Sequence, residues 1–218
     1  MNIRLIDSLI KRLDAGADTI AKPRPMIALY PERCILILDR SGSMGATDYP
    51  VTRLLAALDA AIEFVSVKLQ REFSDLVSII LFDDGAEIVC EDVSLSEAIG
   101  CLRRLKVSNP IAGGTDLNAG IAAAEEIFQN HREGFKNRIV LLTDGQGGNP
   151  IRTAERLRRS GVVIDSIGVA GDPSSVDEAT LIKISSVIDG RSRYRFIANK
   201  AELINHFKSI ATNLRMVR

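Results

Sequence analysis

Neither sign of charge predominates in this chain: 28 lysines and arginines face 28 aspartates and glutamates in 218 residues. Without a basic excess, the usual electrostatic footprint of a nucleic-acid binder is missing, and that class is set aside. No apolar run approaches the roughly 18 residues that a membrane-spanning helix needs. The opening segment, MNIRLIDSLIKRLDAGAD, breaks its apolar residues with charges every few positions and holds no uninterrupted apolar stretch for secretion. Cysteine is scarce. Cys34, Cys90 and Cys101 are odd in number and lack metal-ligand spacing, so they read as small buried hydrophobes in a reducing compartment. A Walker-type Gly-x-x-x-x-Gly-Lys-Ser/Thr loop and a His-Glu-x-x-His helix are both absent. What is present is a hydrophobic share of 46%, enough for a core. The length fits one domain of ordinary size. The expectation is a soluble, cytoplasmic, single globular domain.

Strand-length apolar runs alternate with helical patterns. Residues 34–38 read CILIL, with no polar face, as a central strand covered on both sides would. Over residues 52–71 the period becomes helical, with Leu54, Leu55, Leu58, Ile62, Val65 and Leu69 on one stripe. Residues 77–82 are strand-like, and Asp83-Asp84-Gly85 then signals a hairpin, so residues 86–90 should return antiparallel at the sheet edge. Further strands are read at 139–142, 162–169 and 194–197. Asn149 as cap, Pro150 in the first turn and Gly161 past the end punctuate one helix. Asn199 with Glu202 opens the last helix, which carries Leu203, Phe207, Ile210 and Leu214 inward. This alternation predicts an α/β fold, Rossmann-like, three-layer α/β/α, with a mostly parallel central sheet and one antiparallel edge strand. Ligands of such sheets bind beyond the carboxyl ends of the strands. Residues 1–33 stand apart as an amphipathic helix (Ile6, Leu9, Ile10, Leu13) followed by an extended connector holding Pro23, Pro25 and Pro31.

Three strand-exit loops carry the informative residues: Asp39-Arg40-Ser41-Gly42-Ser43 after CILIL, Gly113-Gly114-Thr115-Asp116 before the helix that starts near Leu117, and Thr143-Asp144-Gly145 after residues 139–142. They offer two carboxylates (Asp39, Asp144) and three hydroxyls (Ser41, Ser43, Thr115). All are hard oxygen donors, which suits Mg²⁺ or a similar ion and not Zn²⁺. Alternate positions 39, 41 and 43 can point at one centre, with Gly42 easing the bend. Taken singly, each loop also reads as a turn or a helix cap, with Thr115 or Asp116 as the capping residue. Their joint occurrence, in order and each at a strand exit or helix start, favours a shared site.

This constellation resembles the von Willebrand factor type A domain with its metal-ion-dependent adhesion site, whose pattern is Asp-x-Ser-x-Ser, then a separate Thr, then a separate Asp. Asp39, Ser41, Ser43, Thr115 and Asp144 match all five positions, and the resemblance runs from about Cys34 to the C-terminus. It implies a domain over residues 34–218, direct metal contact by Ser41, Ser43 and at times Thr115, and contact often through water by Asp39 and Asp144. The implied cofactor is Mg²⁺ or another hard divalent cation such as Mn²⁺ or Ca²⁺. The implied partner is a protein whose Glu or Asp completes the coordination, with neither nucleic acid nor membrane span involved. With no leader segment or extra domain read in the sequence, the chain is expected to be like the small free-standing intracellular members that accompany bacterial stress or tellurite-resistance kinases and phosphatases.

Two other classes compete with a non-enzymatic adaptor. An Mg²⁺-dependent phosphatase with an aspartyl nucleophile would keep a second carboxylate two positions on, where this chain has Ser41, and no general base lies beside Ser41 or Ser43 in sequence. In a structural or self-assembling unit, the metal site would be occupied internally. Elsewhere, Arg152, Arg156, Arg158 and Arg159 read as a solvated helix face. His131 and His206 read as structural or exposed helix residues. Asp83 and Asp84 read as turn residues that border the cleft if strand two ends beside strand one. Asp165 sits inside an apolar strand and needs partners that the sequence does not identify.

Overall fold

The computed structural model describes residues 30–49, 51–71, 74–144 and 147–212. The N-terminal helix, Pro23, Pro25 and Leu214 lie outside them. The central sheet begins at β1 (Glu32–Asp39), buried along its whole length. After a 3₁₀ turn at Gly42–Gly45 come α1 (Arg53–Leu69), β2 (Leu76–Phe82), β3 (Ala86–Ser94), α2 (Leu95–Ser108), α3 (Leu117–Gln129), β4 (Lys136–Thr143) and α4 (Ile151–Arg159). The chain continues through β5 (Val163–Val169), α5 (Glu178–Ile184), a small hairpin of β6 (Val187–Ile188) and β7 (Arg191–Ser192), β8 (Tyr194–Ile197) and α6 (Lys200–Thr212). The six-stranded sheet has the order β3-β2-β1-β4-β5-β8. Only β3 runs antiparallel in it, paired to β2. The predicted α/β architecture and its antiparallel edge strand are therefore present.

β1 alternates between two cores. Cys34, Leu36 and Leu38 face a cluster with α1, α2 and α6, while Ile35 and Ile37 face one with α3, α4 and α5. Both faces are covered, which is why CILIL has no polar side. Local chemistry sets the helix ends. Thr52 Oγ1 accepts from Leu55 N–H at the start of α1, and Asn199 Oδ1 accepts from Glu202 N–H at the start of α6. α4 starts one residue later than the sequence suggests, because Pro150 occupies the capping position and Asn149 does not cap; Gly161 follows its end at φ +89°. His131 is exposed in the loop past α3, outside any helix. β3 continues four residues beyond Cys90, with irregular pairing near Ile79. Such an irregularity twists an exposed edge away from foreign strands.

The amino ends of the strands hold a buried network of charges. Lys68 Nζ binds Glu32 and Asp75, each at 2.6 Å. Arg138 reaches Asp165 at 2.7 Å, Glu32 at 3.3 Å and the carbonyl of Ile210 in α6 at 3.3 Å. Arg193 holds the other oxygen of Asp165 at 2.6 Å. The partners that Asp165 requires are thus two arginines. Nearby, the Arg33 guanidinium donates to the carbonyls of Ile127 and Asn130 and caps the carboxyl end of α3.

His206 in α6 is half-buried beside this network. Burial pushes its pKa down to about 4; Arg195 and Arg193 act in the same sense, and Asp165 and Glu202 oppose it. The unfolded chain therefore takes up a proton near pH 6.5, where the folded chain does not. Stability contributed by neutral His206 is present above about pH 6.5 and is lost as pH falls toward about 4. A His206→Gln variant should lose less of its urea midpoint between pH 7 and pH 4.5 than the wild-type chain; equal losses would remove His206 from the account.

Among the described residues, no helix is long and apolar enough to cross a membrane. The three cysteines are all thiols. Burial pushes Cys34 up to about 12, which keeps it inert.

Candidate metal centre

At the end of β1, Asp39 is wholly buried. Pairing with β2 extends one residue past it, through Arg40 N–H to the carbonyl of Phe82 at 2.9 Å, and the chain then turns. The turn is closed by Ser41 N–H donating to Asp39 Oδ1 at 2.8 Å, while Thr143 Oγ1 donates to Asp39 Oδ2 at 2.6 Å. Both carboxylate oxygens thereby accept hydrogen bonds, which orient the group. Ser41 Oγ and Ser43 Oγ lie 3.0 Å apart, hydrogen-bonded to each other. Ser41 is buried and Ser43 exposed, so the pair leads from the core to solvent.

The second loop is stitched to the first by backbone. Ala112 N–H donates to the carbonyl of Arg40 at 2.9 Å, and Gly42 N–H to that of Gly113 at 3.2 Å. The hairpin turn supports it from the other side, with Gly114 N–H donating to Asp84 Oδ2 at 2.8 Å and Asp116 N–H to the carbonyl of Asp83 at 2.6 Å. Asp83 and Asp84 therefore border the site. Asp116 caps α3 through Asn118 N–H, so Thr115, half-buried beside it, is released from that duty.

The third loop follows β4. Asp144 is buried, and its Oδ1 has no hydrogen-bond partner, an expensive arrangement for a carboxylate oxygen. Its backbone carbonyl accepts from Asp177 N–H at 3.1 Å. Gly147, at φ +110°, passes so close to the second loop that a Cβ there would lie 2.0 Å from the carbonyl oxygen of Thr115. Glycine is required at that crossing.

All three loops thus meet at the carboxyl ends of β1 and β4. Asp39, Ser41 and Ser43 are joined by hydrogen bonds, Asp39 and Asp144 feel each other's charge, and Thr115 is placed by its backbone neighbours. Burial raises the pKa of Asp39 to about 6; the bonds from Ser41 and Thr143 pull it down, and Asp144 raises it further. Among the described residues there is no group of three or more His, Cys, Asp and Glu side chains that could hold a metal. Any cation here would rest on two carboxylates and neutral hydroxyls, a donor set suited to a hard ion that keeps some water. The sequence reading missed Thr143, which steadies Asp39, and Arg53, whose guanidinium lies near Asp144. A cavity of about 330 Å³ between α3 and α4, lined by Glu125, Phe128, Arg156 and Leu157 among others, shares no residue with the site.

Comparisons with known proteins bear on the family and the fold. The family model described as von Willebrand factor type A domain matches residues 34–146. Calcium-activated chloride channel regulator 3A-1 of Mus musculus is 30% identical over 203 residues, covering 89% of this chain and 21% of that protein. The chain spans about a fifth of the length of the curated relatives it matches. In fold, it superposes on proximal thread matrix protein 1 from the mussel byssus, solved with a zinc-occupied MIDAS motif, with TM-score 0.68, 15% identity, and 84% of this chain and 48% of that chain covered. The manganese-loaded Plasmodium vivax TRAP protein gives TM-score 0.65, 17% identity, and 84% and 75% coverage.

Proposed function

The chain belongs to the von Willebrand factor type A family, and on that premise we propose that it is a protein-binding module whose grip depends on a divalent cation held by Asp39, Ser41, Ser43, Thr115 and Asp144. The observation that carries this reading is the buried, unpartnered Oδ1 of Asp144 in the same pocket of charge as the fully buried Asp39. Two carboxylates so placed repel each other and lack solvent; a dication beside them would offset both costs. Mg²⁺, Mn²⁺ and Ca²⁺ all take oxygen ligands, and the metal-bearing MIDAS and manganese-loaded relatives in fold support a divalent ion at this position.

Two carboxylates neutralise such an ion formally, and the hydroxyls add no charge. With few direct protein ligands, the ion stays electrophilic and accepts one further oxygen. A Glu or Asp side chain of a partner protein fits that role in charge and hardness. Binding rather than bond-breaking is the function proposed: Ser41 itself stands where an aspartyl phosphatase would keep its general acid, and Ser41 Oγ is bonded to Ser43 Oγ. The domain is taken to occupy residues 34–218, with residues 1–33 as a separate connector. A cytoplasmic setting, with a stress-response or tellurite-resistance type of signalling system as its context, belongs to the same proposal.

The test is affinity capture from the native lysate with the full chain as bait. Partners should be retained with added Mg²⁺ and lost with EDTA. Capture that is equally strong in EDTA contradicts a metal bridge.

A further inference from the structure

Asp144 does not face the site alone. Arg53, the first residue of α1, is only 9% exposed, and its Nη1 lies 3.6 Å from Asp144 Oδ2. That separation is a contact of charges, longer than a hydrogen bond. The guanidinium itself is fixed elsewhere. Its Nε donates to both oxygens of Asp48, at 2.9 and 3.0 Å, and its Nη2 donates to Asp48 Oδ2 as well. Asp48 in turn accepts the Gly171 N–H at 2.7 Å, past the end of β5. The backbone N–H of Arg53 donates to the carbonyl of Ala46 at 3.1 Å, beside the turn that carries Ser43. Arg53 is thus anchored between two loops while its charge leans on Asp144.

Resting on the metal reading above, we propose that Arg53 is a tethered competitor for Asp144, a fixed positive charge that weakens the hold on the divalent ion and strengthens the hold of the ion-loaded site on an incoming carboxylate. The charge balance gives both signs. A dication with Asp39 and Asp144 sums to zero, and Asp48 neutralises Arg53 formally; but Asp48 holds the Nε and Nη2 edge of the guanidinium, so the Nη1 edge turns positive charge toward Asp144. Cation–cation repulsion in a buried setting is screened far less than in water, so one guanidinium has a measurable effect on affinity. The same positive edge attracts an anion. Arg53 is therefore a positioning and tuning residue, with no contact to the ligand required.

Isothermal titration of the full chain with Mn²⁺ tests the idea, using wild type, Arg53→Gln, Arg53→Lys and the paired variant Asp48→Asn/Arg53→Gln. The paired variant leaves no unpartnered Asp48. Arg53→Gln should bind Mn²⁺ about tenfold more tightly than wild type, the paired variant more tightly by a smaller factor because it also loses the Asp48 carboxylate, and Arg53→Lys, which keeps the charge, should stay within about threefold of wild type. Acetate added to the Mn²⁺-loaded chain should bind more weakly in Arg53→Gln. If the paired variant, folded by its urea transition, binds Mn²⁺ no more tightly than wild type, the proposal is overturned. It is overturned also if Arg53→Lys matches Arg53→Gln, because charge is then not the agent. Mn²⁺ uptake by Arg53→Gln where wild type shows none supports it. If neither takes up Mn²⁺, the metal reading fails and this proposal with it.

Discussion

In an Asp39→Asn variant, divalent-cation binding falls by more than about a hundredfold, while cooperative unfolding is retained. The size follows from losing a charged group of the site itself, since even supporting groups around a metal are worth about 10–100-fold in affinity. Retention of the fold follows from the geometry. Asparagine can still accept the Ser41 N–H, and the Thr143 hydroxyl can rotate to accept from the new amide. The substitution also removes one of two buried carboxylates whose charges oppose each other. The urea midpoint should therefore stay level or rise, a site built for binding at some expense of stability. Titration calorimetry with Mn²⁺ and urea unfolding on one sample check both halves. Loss of binding together with a collapsed midpoint would mean that Asp39 is structural.

The second large effect lies at the opposite end of the sheet. Arg138→Met should cost about 3–5 kcal/mol of unfolding free energy, the range for removing one member of a buried ion pair. Arg138 is 1% exposed, and its loss takes one of two described arginines from Asp165, one cation from Glu32 and a donor from the Ile210 carbonyl. Urea denaturation at pH 7 measures the cost. An Arg138→Met/Asp165→Asn double variant should be less destabilised than the sum of the single changes, since the second change removes the charge that the first left behind. Strict additivity would mean that the two residues are not coupled through the network.

How much of this was readable beforehand depends on distance along the chain. β8 begins and ends at the residues read for it, 194–197, and the Asp83-Asp84-Gly85 hairpin put β3 at the sheet edge. In both cases the signal is local. α2 was not read, because Ser94 both ends β3 and caps the helix, leaving no loop between them, and its surface is rich in charge. The short α5 and the β6–β7 hairpin likewise carry too few residues for a period to show. Within the site, the five oxygen donors were legible through their spacing and their resemblance to a known pattern. Thr143, Arg53 and Asp48 were not. Thr143 touches Asp39 from 104 residues away, and Arg53 meets Asp144 only because the sheet brings the two loops together. The partners of Asp165, 27 and 28 residues distant, were hidden for the same reason.

One measurement bears most directly on the central claim: anomalous diffraction from a crystal of the full chain soaked in Mn²⁺. The account requires a single strong peak in bonding contact with Ser41 Oγ and Ser43 Oγ, at about the 2.1 Å typical of a small hard cation. Asp39, Thr115 and Asp144 should surround it, with at least one coordination position held by water or by an outside carboxylate. No peak at those residues under saturating Mn²⁺, or an ion enclosed entirely by side chains of this chain, would contradict it.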